Sequence, residues 1–308
     1  MTTSTRQGAP SRWKVLGWAI PAALVAVVAL VLLARWLRTL AGVEAFVDAY
    51  PGTVPPPPGT PEGFPAWLSW QHFLNAFFLL LIVRTGWRVR TVQRPEAHWT
   101  RTNTGRFRTK RAPKRISFDL WLHLSLDALW VLNGIVFIVL LFATGHWARI
   151  VPTSWDVVPN ALSVALQYVS LDWPAEDGWV VYNSLQLLAY FGIVFIAAPL
   201  AILTGLRMSP AWPVDTPRLN RAYPIGLARA VHLPVMLAFV AFVIAHVGLV
   251  LATGALRNLN HMYAGTDEVN WIGAAVFAGT VVVMVAAWIL ARPVYLRGLA
   301  QLTGKVTR

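Results

Sequence analysis

Seven histidines occur in a 308-residue chain without a single cysteine, and four of them, His72, His123, His232 and His246, fall inside apolar runs. Without cysteine, disulfides, thiolate metal sites and Cys-ligated iron-sulfur clusters are excluded, so any redox centre must be ligated some other way. The stretch "RAVHLPVMLAFVAFVIAHVGL" (229–249) carries no acid and no lysine after Arg229, yet keeps two histidines 14 residues apart. On a helix that separation is about 21 Å of rise and returns to within roughly 40° of the same face. Polar groups held in hydrocarbon are costly and are retained for function.

The elements that must position these histidines follow from composition. Hydrophobic residues make up 56% of the chain, charged residues 13%, and the mean hydropathy is +0.55, which excludes an ordinary soluble domain. Apolar runs of membrane-crossing length predict six helices, at about 15–34, 67–89, 119–143, 184–206, 229–252 and 271–291. The expected fold is an all-α polytopic bundle forming one membrane domain over 1–308. The first run follows a basic tail (Arg6, Arg12, Lys14) that resembles a signal peptide, but it lacks a small-residue cleavage site and is read as a retained helix.

Lysine and arginine counts orient the bundle. Segments 1–14, 84–115, 207–229 and 292–308 hold 22 of the 26 basic residues, while Asp156, Asp172, Glu176, Asp177, Asp267 and Glu268 fall in the intervening loops. The positive-inside rule then predicts both termini in the cytoplasm of a bacterial cell, with the chain in its plasma membrane. The net charge of +13 and pI near 11.0 thereby reflect topology and attraction to anionic lipid, and nucleic-acid binding is excluded as a function.

Glycines recur at the predicted helix ends. "VRTGWR" (83–88) and "LTGLR" (203–207) close helices two and four inside, and "FATG" (142–145) and "LATG" (251–254) close three and five outside. The segment "PGTVPPPPGTPEG" (51–63) reads as an extended linker. The outer segment 145–183 holds Trp147, Trp155, Trp173, Trp179 and Tyr182, an interfacial aromatic belt or a docking surface for a partner.

Orientation sorts the four histidines by depth. His72 lies near the outer start of helix two and His123 near the inner start of helix three. His232 is at the inner end and His246 at the outer end of helix five. Two pairs result, His72 with His246 and His123 with His232. One imidazole from each side at matching depth is what bis-histidine ligation of a haem requires, and two such sites would relay electrons across the bilayer. The competing expectation is that these histidines bond between helices, in a haem-free transporter or scaffold. His98, His146 and His261 read as solvated or interfacial, with His146 the one that could replace an outer ligand.

One histidine on each of two helices, two more 14 apart on a later helix, and the segment "WQHFLNAFFLLLIVRTGWRVR" (70–90) together resemble the di-haem cytochrome b subunits of nickel-iron hydrogenases, formate dehydrogenases and thiosulfate reductases, the bacterial cytochrome b561 group. The resemblance covers a haem-binding core over 67–260. It implies two haem b groups ligated by His72, His123, His232 and His246, a quinone as electron partner, and a hydrogenase or molybdopterin subunit, reached in some cases through an iron-sulfur subunit. The chain would then be an electron-carrying subunit rather than a complete enzyme. An additional helix precedes the ligand helices and helix five runs in the reverse direction, so the family's quinone-site and partner geometry are not carried over. Families with two histidines on each of two helices fit less well.

Around these ligands, Asp127 is read as the only acid within a span, one turn from His123. It is a candidate proton acceptor at a quinone site, a pair for Arg84, or a hydrogen-bond partner of a ligand histidine. Arg84, Arg88, Arg207 and Arg229 sit at inner helix ends as interfacial anchors or partners for haem propionates.

Overall fold

The computed structural model describes residues 12–104, 108–109, 112–173 and 177–308. Arg6, Arg106, Lys110, Arg111 and Glu176, which entered the charge counts, lie outside the described residues. Six helices are long and apolar enough to cross a membrane, at Gly17–Arg38, Ala66–Thr91, Phe118–Ala143, Ser184–Met208, Ile225–Ala252 and Ile272–Leu290. The chain is thus an all-α, multi-pass membrane protein, as its apolar runs predict. Its contacts group the chain into two compact units.

The smaller unit contains α1 (Arg12–Arg38), α2 (Ala41–Ala49), α5 (Val157–Val169) and the start of α6 (Ser184–Phe191). From Gly17 onward α1 is apolar and exposed on nearly all sides, the signature of a helix solvated by lipid. Its end is held by Arg35, whose Nε donates to the Ser170 carbonyl at 3.0 Å, and by Arg38, which bonds Ser170 Oγ at 2.8 Å and Asp172 at 2.7 Å. Gly52, at φ +119°, donates to Asn160 Oδ1 at 2.8 Å, and a Cβ there would collide with Val164. Helix α5 is an ordered element inside the 145–183 segment that aromatic content alone does not reveal.

The larger unit contains α3 (Ala66–Thr91), α4 (Phe118–Ala143), α7 (Ala198–Met208), α8 (Pro217–Ala222), α9 (Ile225–Ala252), α10 (Ala255–Ala264), α11 (Ile272–Leu290) and α12 (Pro293–Gln301). The fourth span is continuous but changes pitch: a π-helical turn, Gly192–Ala197, joins α6 to α7. Pro199 opens α7, and the wider turn before it accommodates a residue that lacks an amide hydrogen.

A small sheet, absent from the sequence expectations, closes one end of this unit. Strands β1 (His98–Arg101), β2 (Arg115–Ser117) and β3 (Gly304–Thr307) pair antiparallel in the order β2-β1-β3, with Trp99 opposite both Ile116 and Val306. Beneath it Leu81, Phe118, Trp121, Leu122, Ala300 and Val306 form the buried core. Ser117 caps α4, its Oγ accepting from the Leu120 amide at 3.2 Å.

Asp127 is not the only acid in a span, since Asp119 stands buried in the first turn of α4. It accepts from Arg88 Nε at 2.7 Å, which lets a carboxylate sit at that depth. Asp119→Ala would leave a guanidinium that is only partly solvated, and should cost about 2 kcal/mol. A lowered thermal midpoint in detergent is the expected reading; an unchanged midpoint would contradict it.

Candidate functional site

Helix α9 presents His232, Phe239 and His246 at seven-residue intervals, which on a helix is one face repeated every two turns. Each histidine meets a ring from a neighbouring helix. His246 faces His72 of α3 with ring centroids 6.1 Å apart, and His232 faces His123 of α4 at 6.5 Å. The four histidines thus form the two pairs that the depth argument lists. His123 and His232 lie at the sheet end of the unit, and His72 and His246 at the other.

Between the pairs lies a packed layer. Trp130, seven residues beyond His123, meets Phe239 edge-on at 6.2 Å, and Phe239 is 5% exposed. The Trp130 indole donates to Asn75 Oδ1 at 3.0 Å, and Asn75 donates to the Gln71 carbonyl at 2.8 Å, one turn back in α3. Polar side chains within the layer are thereby used internally.

At the sheet-end pair each imidazole is held the same way. Thr85 Oγ1 lies 3.0 Å from His123 Nδ1, and Thr204 Oγ1 lies 2.8 Å from His232 Nδ1. Each hydroxyl also reaches carbonyls of its own helix, Leu81 at 2.8 Å and Leu200 at 2.6 Å. The next residue is glycine in both helices. A Cβ on Gly86 would lie 3.0 Å from His123 Cε1, and one on Gly205 would lie 3.7 Å from His232 Cε1. These two glycines are not helix ends, as the sequence reading has them: α3 and α7 continue past them to Thr91 and Met208. They are where a helix passes close to a ring, and only a hydrogen fits freely at Gly86. Gly145 and Gly254, by contrast, do take positive φ beyond the ends of α4 and α9.

The other pair is built from aromatics. Phe242, one turn before His246, stacks on it at 5.4 Å, and Tyr190 meets the same ring edge-on at 5.9 Å. Tyr263 of α10 meets His72 edge-on at 5.9 Å. His72 Nδ1 is buried with no hydrogen-bond partner.

These features fit a haem on each pair. Each pair offers two imidazoles, and a haem would bring the remaining donors to its iron with it. Imidazole-to-metal bonds of about 2 Å, plus roughly 1 Å from nitrogen to ring centre, put two axial rings about 6 Å apart. The close approach of the Gly86 backbone to the His123 ring adds to the fit.

The remaining predicted residues divide. Asp127 stands 3.6 Å from His123 Nε2, too far for a hydrogen bond, and not against Arg84. Arg84 donates to the Ala291 carbonyl at 2.9 Å and lies over Trp288, Arg88 pairs with Asp119, and Arg207 donates to the Tyr223 carbonyl at 2.7 Å and lies over Trp212. These three are engaged within the protein. Arg229 is exposed, one turn before His232.

Two of the histidines read as solvated or interfacial are buried within the protein. His146 is 7% exposed; its Nδ1 lies 2.9 Å from Thr144 Oγ1, its Nε2 is unpartnered, and burial and Arg149 hold it below the ordinary imidazole value. It packs edge-on against Trp67 rather than against His72 or His246. His261 is 4% exposed, stacks on Phe64 and lies 2.5 Å from Asp267, which Arg257 also binds. His98 of β1 takes part in a contact with Arg115 at 3.1 Å.

The Arg257 hydrogen bond, and after it His261, hold Asp267 at about 2, well below its ordinary 3.8. A carboxyl depressed in the folded state contributes stability that is complete above its unfolded value and lost as pH falls through the folded one. Amide exchange across 255–267, corrected for its intrinsic rate, should therefore accelerate between about pH 4 and pH 2. In Asp267→Asn that acceleration should be absent.

Comparison with known proteins finds one informative relative. Over 200 residues the chain is 29% identical to YedZ1 of Azospira oryzae, named as a candidate protein-methionine-sulfoxide reductase subunit; the match spans 60% of this chain and 88% of the relative. No protein-family model matches, and no solved structure matches.

Proposed function

We propose that the chain is a di-haem b-type cytochrome that carries electrons across the bacterial plasma membrane between a quinone pool and a partner oxidoreductase subunit. The observation that carries this reading is the pair of facing imidazole couples, at 6.1 and 6.5 Å, displaced from one another along α9 by 14 residues. When bound, haem would supply reversible one-electron redox chemistry.

The protein's own groups then have distinct tasks. His72 and His246 hold one iron, and His123 and His232 the other. Gly86 and Gly205 leave room beside the rings, and the Trp130–Phe239 layer keeps water and protons out of the space between. Asp127, beside His123 and partly exposed, is placed to accept a proton released when quinol is oxidised near the sheet end. Arg229 is the available cation for a propionate. By the positive-inside rule the sheet end faces the cytoplasm.

The relative's description favours a reductase as the partner over the hydrogenase type, with the molybdopterin type still open. Reducing a sulfoxide to a sulfide consumes two electrons and two protons and releases water. Two successive one-electron passages along the relay would meet that demand, and the chemistry itself belongs to the partner, docked on the 145–183 side.

Purified protein tests this directly. Adding a quinol to the oxidised protein should reduce its b-type absorbance, and a partner oxidoreductase with its substrate should reoxidise it. Protein that carries haem but ignores every quinol would remove the quinone from the scheme. Protein without haem would leave the transporter or scaffold reading.

A further inference from the structure

The two histidine pairs are not equivalent, and the difference lies in two hydroxyls. A threonine hydroxyl has one hydrogen and two lone pairs. Thr85 Oγ1 faces the carbonyls of Leu81 and Ile82 at 2.8 and 3.1 Å, and Thr204 Oγ1 those of Leu200 and Ala201 at 2.6 and 3.1 Å. Carbonyls only accept, so each hydroxyl hydrogen is committed to its own helix. What each oxygen offers the imidazole is a lone pair, and the contact with His Nδ1 is one in which the ring nitrogen donates. His123 and His232 are therefore fixed as Nδ1–H tautomers with the Nε2 lone pair left for a ligand.

Nothing comparable exists at the other pair. His72 Nδ1 is buried without a partner, and among the described residues no hydrogen bond to His246 is found. The neighbours there are ring edges and faces from Phe242, Tyr190 and Tyr263.

A hydrogen bond donated from the distal nitrogen makes an imidazole a more basic ligand, and a more basic ligand favours the oxidised metal. Resting on the di-haem reading, we propose that Thr85 and Thr204 are positioning residues that set the haem between His123 and His232 at a lower reduction potential than the haem between His72 and His246. Electrons entering at the sheet end would then pass downhill toward the far pair. The repetition of one device on two helices, Thr85-Gly86 on α3 and Thr204-Gly205 on α7, concerns both axial ligands of one iron and neither ligand of the other.

The test is a redox titration of the purified holoprotein, followed in its b-type absorbance, for Thr85→Val, Thr204→Val and the double variant. Valine keeps the shape and the β-branch but removes the hydroxyl acceptor, leaving His123 only the Ile82 carbonyl. One of two midpoints should rise in each single variant and rise further in the double, while the other stays put and the haem count is unchanged. Thr85→Ser should restore the original midpoint. In a His246→Leu background, which should lack the far haem, the midpoint that remains should be the lower one and the one that Thr85→Val moves. Unchanged midpoints with full haem content, or a shift confined to the far haem, would overturn the proposal and leave the di-haem reading standing. Loss of the sheet-end haem from both single valine variants would reduce the threonines to structural supports and equally overturn it. Wild-type protein devoid of haem would instead remove the reading on which the proposal rests.

Discussion

His246→Leu is expected to halve the haem content, leaving one low-spin haem that still titrates. Leucine fills similar volume and is favourable in hydrocarbon, so α9 should insert and pack as before. What changes is that His72 faces a side chain that cannot ligate. The second pair is insulated from this, since 14 residues of helix, with the Trp130–Phe239 layer midway, separate it from the substitution. His232→Leu should give the mirror result, retaining the other haem. The two variants should therefore differ in the midpoint that survives, and the double variant should bind none. If both single variants keep two low-spin haems, the ligand assignment fails.

Gly86→Val is the larger structural insult. A Cβ at this position already lies 3.0 Å from His123 Cε1, and valine adds two methyl groups on a helix that cannot recede. Overpacking of this kind costs about 1–3 kcal/mol, and it falls on a ligand ring. Loss of the sheet-end haem with retention of the other is expected, read as halved absorbance and one remaining midpoint. Gly205 offers an internal contrast, because 3.7 Å to His232 Cε1 is ordinary contact. There alanine fits, and its better helix propensity should raise stability by up to about 1 kcal/mol. Equal damage from Gly86→Val and Gly205→Ala would show that the distances do not govern the outcome.

The path from sequence to these sites was uneven for identifiable reasons. Apolar runs of membrane-crossing length mark all six spans, because the length of a membrane helix is set by the bilayer and not by tertiary detail. The four histidines were legible because an imidazole among leucines and valines is costly enough to stand out, and charge asymmetry supplied the depths. Thr85 and Thr204 were not, since a threonine near the end of a span is unremarkable and its role depends on a ring from another helix. The signal was present in the paired "TG" at 85–86 and 204–205, but a glycine followed by arginine reads equally well as a helix terminus. Asp119 was hidden by lying at a span boundary, where its pairing with Arg88 across helices is invisible. The burial of His146 and His261 is not legible in sequence, because loop position says nothing of the rings, Trp67 and Phe64, that each packs against. The sheet arises from two short strands in a basic segment and one at the C-terminus, too short and too distant in sequence to announce themselves.

Haem stoichiometry tests the di-haem assignment most directly. Protein purified from cells supplied with haem, assayed for haem b per polypeptide and for iron spin state, should contain two haem b groups, both low-spin with two axial imidazoles. A preparation that is folded and helical yet contains no haem, or whose haem is high-spin with an open axial position, would contradict it.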